Sequence, residues 1–174
     1  MPSRILSDPA INRALSCRVH SAAHPTSMKT FYIDRTIFLP SPIDEVFPFF
    51  SDAHNLERLT PPFLKFHVVT PDPIVMKPGT HIRYKLRIHG IPISWESEIT
   101  AWDPPHRFID EQLSGPYRLW RHEHRFVSQN GGTQVTDHVD YAVLGGSIIN
   151  SLFVAPDVRR IFDYRTKILQ SLFP

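Results

Sequence analysis

Apolar and polar positions alternate most clearly between Arg107 and Val143. The run reads as three consecutive antiparallel strands. Gly115-Pro116 marks the first turn and Asn130-Gly131 the second, and Asn-Gly is a strong hairpin signal. A two-residue loop at Asn130-Gly131 fixes the register: Gln129 faces Gly132, Phe126 faces Val135, His124 faces Asp137, His122 faces Val139 and Trp120 faces Tyr141. Side chains alternate with period two, so the residues of the last four pairs share one face. The opposite face pairs Arg125 with Thr136, Glu123 with His138 and Arg121 with Asp140, as suits a solvated, charge-matched surface. The preceding strand, 107–113, adds Phe108, Asp110 and Gln112 to the inner face. That face then holds Asp110, Gln112, His122, His124 and Asp137 among aromatic and aliphatic groups. Burying them unpaired would cost roughly 1–3 kcal/mol each. They therefore pair with one another or face a wet, ligand-sized cavity.

The remaining pattern supplies the frame. Phe31–Leu39 alternates as a strand. Ser41-Pro42, with Asp44 and Glu45 behind, predicts a helix start capped by Ser41. Pro48 predicts a kink or break in that helix. A second short helix is expected over 52–58, stopped by Pro61-Pro62. A strand is expected over 65–70. Strand 80–89 places Ile82, Tyr84, Leu86 and Ile88 on one side and a basic row on the other. Strand 91–102 places Ile93, Trp95, Ser97 and Ile99 inside and its acids outside, against that row. After Gly145-Gly146 and an apolar stretch, Pro156 opens the longest helix, to about Phe173. Its stripe of Val158, Ile161, Phe162, Ile168, Leu169 and Leu172 has helical spacing and is interrupted by Arg165. The predicted fold class is α+β, a curved antiparallel sheet closed by the last helix.

Composition narrows the function classes. The 174 residues suit one domain. The net charge is +2 and no basic run exceeds two residues, so a nucleic-acid partner is not expected. The single cysteine, Cys17, excludes an internal disulfide and a cysteine-based metal site, and a reducing, cytoplasmic setting is the default. No apolar stretch is long enough to span a bilayer. Residues 1–28 lack this patterning and read as a disordered or loosely docked extension preceding a domain over 29–174. Met28 stands directly before the first strand and is a possible true start. Nothing in the sequence sets the oligomeric state.

Three segments carry a resemblance: LPSPIDEVFPFFSDAHNLERLTPP, the Ile-Pro-Ile-Ser-Trp strand 91–95, and FIDEQLSGPYRLWRHEHRF with GTQVTDHVDY. They resemble the Bet v 1-like, START/SRPBCC superfamily of ligand-binding, lipid-transfer and polyketide cyclase/dehydrase-like proteins, over about residues 30–173. The resemblance implies the helix-grip fold, with two short helices after the first strand and a cavity between sheet and C-terminal helix. It does not imply one function, because this fold hosts carriers, sensors and enzymes.

Three readings of the inner polar cluster stay open. The His124–Asp137 pair can act as a register lock, with charge-assisted bonding. Asp110, Gln112, His122, His124 and Asp137 can be polar anchors of an apolar ligand site, with Tyr84, Trp95, Trp120, Tyr141 and Arg165 around them. His122, His124 and Asp110 can be acid/base groups of a cyclase/dehydratase. His122, with Val139 opposite it, is expected to be the freer imidazole. A two-His-one-carboxylate metal centre is set aside, since the superfamily does not usually carry one and the His124–Asp137 pair accounts for both groups. No cofactor is expected. The expected partner is a small hydrophobic, lipid-like or aromatic polyketide-like ligand. A partner or regulatory domain with a filled core is the remaining alternative.

Overall fold

The computed structural model describes residues 28–174; the extension expected over 1–28 lies, but for Met28, outside the described residues. The chain runs β1 (Phe31–Leu39), α1 (Ile43–Ser51), α2 (Asn55–Leu59), a 3₁₀ turn (Pro62–Leu64), β2 (His67–Val68), β3 (His81–Ile88), β4 (Ile91–Asp103), β5 (Arg107–Ser114), β6 (Leu119–Gln129) and β7 (Gly132–Ala142). It ends in α3 (Gly146–Ile149), a π turn (Asn150–Val154) and α4 (Ala155–Leu172). The seven strands form one antiparallel sheet in the order β1-β7-β6-β5-β4-β3-β2. This is the helix-grip fold.

The hairpin register is the one the alternation predicts, from Gln129 opposite Gly132 to Trp120 opposite Tyr141. Asn130 and Gly131 take φ of 50° and 77°, the positive values a two-residue turn of this hand requires. β5 extends the inner face as expected, with Phe108 opposite His124 and Asp110 opposite His122. The β4–β5 ladder shifts register between Ile99 and Ala101, and such a bulge increases strand bending and twist.

Three expectations change. The helix after β1 begins one residue later, with Pro42 at its cap position and no side-chain cap. It runs through Pro48 without interruption, because Val46, Phe47 and Phe50 are buried and their packing outweighs the one lost backbone bond. The strand expected over 65–70 shrinks to His67–Val68, since Lys65 adopts φ 46°, outside the β region. The last helix opens at Ala155 with Pro156 in its first turn, as expected, and the apolar stretch before it is itself helical, as α3 and the π turn. A π turn stands directly before Pro156, where a proline ring would clash with the carbonyl four residues back in a regular α-helix.

α4 lays Val158, Phe162, Arg165 and Leu169, all buried, against the sheet. The buried apolar residues form three clusters. One joins α1 to β5, β6, β7 and Leu169; one joins β1 and β7 to Val158 and Phe162; the third lies on β3 and β4 with Ala53. Among the described residues no helix is long and apolar enough to cross a membrane.

Candidate functional site

A pocket of about 630 Å³ lies between sheet and α4 and touches all three clusters. Phe50 and Leu59 from the first helices, Ile82 and Ile99 from the sheet and Val158 and Phe162 from α4 supply apolar wall. Of the residues singled out from sequence, Tyr84, Trp95, Asp110, Trp120, His122, His124 and Arg165 line it.

Its polar part is built by three adjacent strands. His122 and His124 are two residues apart on β6 and point the same way, with ring centroids 3.8 Å apart. Asp110 on β5 and Asp137 on β7 flank them. Asp137 Oδ1 lies 3.2 Å from His122 Nε2 and 2.7 Å from His124 Nδ1, the second contact being out of line for a hydrogen bond. Asp110 Oδ2 lies 3.7 Å from His122 Nδ1 and 3.4 Å from His124 Nε2. Each imidazole thus has one nitrogen turned to each carboxylate. Phe108 stacks on the His124 ring at 4.2 Å and Phe162 meets the His122 ring edge-on at 5.6 Å. Arg165 comes from α4, with its guanidinium 4.0 Å from Asp137 Oδ2 and over the Phe162 ring. Its Nε is buried with no hydrogen-bond partner.

This environment sets the charge states apart. Burial, reinforced by the neighbouring charge of His124, pushes His122 down to about 4. Burial also opposes charge on His124, but Asp137 and Asp110 together outweigh it and its pKa is raised. Burial opposes charge on both carboxylates, yet the imidazoles hold Asp110 low and Asp137 well below the usual range. Of the two imidazoles, His124 therefore takes a proton more readily than His122. A proton on His124 together with Arg165 balances Asp110 and Asp137, as suits a buried cluster.

Three expected residues stand elsewhere. Gln112 braces the β5–β6 turn, its amide bonding the Tyr117 carbonyl at 2.8 Å and its carbonyl accepting the Tyr117 N–H at 3.3 Å. Tyr141 packs with Ile33, Val139, Val158 and Phe162. Asp137 sits behind the imidazoles, off the pocket wall. His122 is not the freer imidazole: the acid diagonal to it reaches it, because diagonal cross-strand neighbours are within range of long side chains. Sequence reasoning placed Ser97 inside but gave it no role. Its hydroxyl receives hydrogen bonds from the Tyr84 hydroxyl and from Trp95 Nε1, and so fixes two wall aromatics. Alternation on β3 and β4 puts those three polar atoms on one face, which was the available signal.

The family described as polyketide cyclase / dehydrase and lipid transport matches residues 39–163. The chain belongs to that family. No curated protein matches it in sequence. Among solved structures it is similar to protein Ms6760 from Mycobacterium smegmatis, with TM-score 0.65 and 20% identity over 82% of this chain and 90% of that one. It is similar to the major latex-like protein 151 of Panax ginseng, with TM-score 0.62 and 15% identity over 83% and 97%. It also resembles the ZhuI aromatase/cyclase from Streptomyces sp. R1128, with TM-score 0.61 and 18% identity over 82% and 93%. At these identities the likeness is one of fold.

Proposed function

We propose that this protein binds a small, mainly apolar molecule whose oxygen-bearing end lies against Asp110, His122, His124 and Arg165. One observation carries the reading: an aromatic and aliphatic pocket of about 630 Å³ has a buried cluster of charged and imidazole groups on its wall. Pockets of roughly 300–1,000 Å³ with few convergent polar groups are what ligands of this kind occupy. A partner domain with a filled core would not leave that volume. The unpartnered Arg165 Nε favours a ligand with an anionic or strongly accepting oxygen. The family's description spans carriers and cyclases and suits either outcome.

A second reading rests on the charge states. His124, with its raised pKa, and His122, with its lowered one, both face the pocket and offer an acid and a base a few ångströms apart. That pair suits proton transfers in a cyclisation or dehydration of the bound molecule.

Native mass spectrometry of the purified chain, with tryptophan-emission titrations by fatty acids and polycyclic phenols, tests the binding. Trp95 and Trp120 wall the pocket, so occupancy changes their emission. Arg165→Met is expected to weaken acidic or phenolic ligands about tenfold or more, by loss of a charge-assisted contact, and to spare purely apolar ones. No adduct and no emission change across the panel would remove the proposal.

A further inference from the structure

We infer that Asp110, His122 and His124 form a divalent transition-metal site opening into the pocket. One ligand atom from each lies within 4.8 Å of the others. The Asp110 contacts, 3.7 Å to His122 Nδ1 and 3.4 Å to His124 Nε2, are long for hydrogen bonds, which cluster at about 2.7–3.2 Å. They suit the edges of a coordination polyhedron: donors bound near 2.1 Å at a tetrahedral angle stand about 3.4 Å apart.

The setting behind the ligands fits as well. Metal-bound imidazoles usually direct their other nitrogen to a carboxylate or carbonyl, which fixes ring orientation and tautomer. Asp137 Oδ1 stands 3.2 Å from His122 Nε2 and 2.7 Å from His124 Nδ1, and both rings keep their second nitrogen toward Asp110. The His124–Asp137 pair, which by itself would explain both groups, occupies only one nitrogen of His124. All three donors stand on paired strands, so their spacing is held by the sheet.

Charge and chemistry select the ion. Asp110 and Asp137 beside Arg165 leave one negative charge. A divalent ion would turn that into a net positive charge, ready for an anionic oxygen from the pocket side. Two imidazoles and one carboxylate suit zinc, iron(II), cobalt(II) or nickel(II) better than magnesium or calcium. Three protein donors leave at least one position open.

The inference does not depend on the organic ligand, because metal can be titrated into the ligand-free chain. The test uses untagged full-length protein, chelator-stripped, with ZnCl₂ by calorimetry and Co(II) by visible absorption. One equivalent is expected to bind and raise the melting temperature, with intense tetrahedral or five-coordinate cobalt bands. Asp110→Asn should weaken zinc at least tenfold, and so should Asp137→Asn through the imidazoles it orients. Histidine ring ¹⁵N spectra of the unaltered protein keep the test independent of variant folding: zinc should move Nδ1 of His122 and Nε2 of His124. Absence of stoichiometric binding, or binding that moves other histidines and survives Asp110→Asn, would overturn the assignment.

Discussion

His122 and His124 stand 3.8 Å apart between the same two carboxylates, yet their proton affinities are driven in opposite directions. Charging both rings at that distance is unfavourable, so the cluster holds one proton. His124 keeps it because Asp137 lies closer to that ring. The groups facing the pair are Asp110 on β5, Asp137 on β7, Arg165 on α4 and, across the pocket, Tyr84 on β3, whose hydroxyl burial pushes up and holds neutral. The consequence for stability has two limbs. Below about 6.5, the unfolded chain protonates His122 while the folded one resists until about 4, so stability falls with falling pH. That limb is worth roughly 3 kcal/mol. Above about 6.5, folded His124 keeps a proton that the unfolded chain releases, so its stabilisation is lost as pH rises through its raised folded value. Surface His138, raised by its bond to Asp34, adds to the same alkaline limb. Melting temperature against pH should peak near neutrality, and His122→Gln should flatten the acid limb alone. A steady climb from acid to alkaline pH would contradict the charge assignment.

At the scale of elements, the β6–β7 hairpin decides which residues meet. Its register depends on Asn130 and Gly131 holding positive φ. Open space surrounds the position of a Cβ at Gly131, so Gly131→Ala is a conformational change and not a clash. It should cost about 1–2 kcal/mol, read as a lower urea midpoint with an unchanged slope. An unaltered midpoint would mean that the turn does not set the register. Strands of this kind were legible because alternation is a local signal: β3, β4, β5, β6 and β7 fall where the pattern puts them, within a residue or two. The short length of β2 and the helical turns before α4 were not. A positive φ at Lys65 shortens the first, and the run around Ile148, Leu152 and Phe153 stays helical although those side chains are exposed. With no buried face, it gives no periodic signal to read.

At the scale of the molecule, the pocket exists because α4 is held off part of the sheet and anchored elsewhere. Leu169, almost fully buried among Phe47, Phe50 and Phe126, is the anchor at its C-terminal end. Leu169→Ala should destabilise by about 3 kcal/mol, through lost burial and the cavity left behind. Chemical denaturation measures this directly. A loss within about 0.5 kcal/mol, the usual range for surface changes, would mean that the helix is held by other contacts. Val158 and Phe162 anchor the other half against Val139 and Ile33. Arg165 lies between the anchors, which is why a charged residue on the apolar stripe is buried at the polar cluster instead of reaching solvent.

Sequence alone determined the sheet-and-helix architecture, the family resemblance, the hairpin register and the inner-face placement of Asp110, His122, His124 and Asp137. The resemblance rests on particular segments, and the rest follows from short-range rules: period two along a strand, turn residues at fixed offsets, helical spacing in α4. Tertiary structure decided how those groups share their contacts. Asp137 reaches both imidazoles, Asp110 faces both from the other side, Gln112 turns away to the β5–β6 turn and Tyr141 joins the core. These outcomes depend on diagonal reach between twisted strands and on where α4 comes to rest. Both are set by packing across the whole domain, and no local periodicity encodes them.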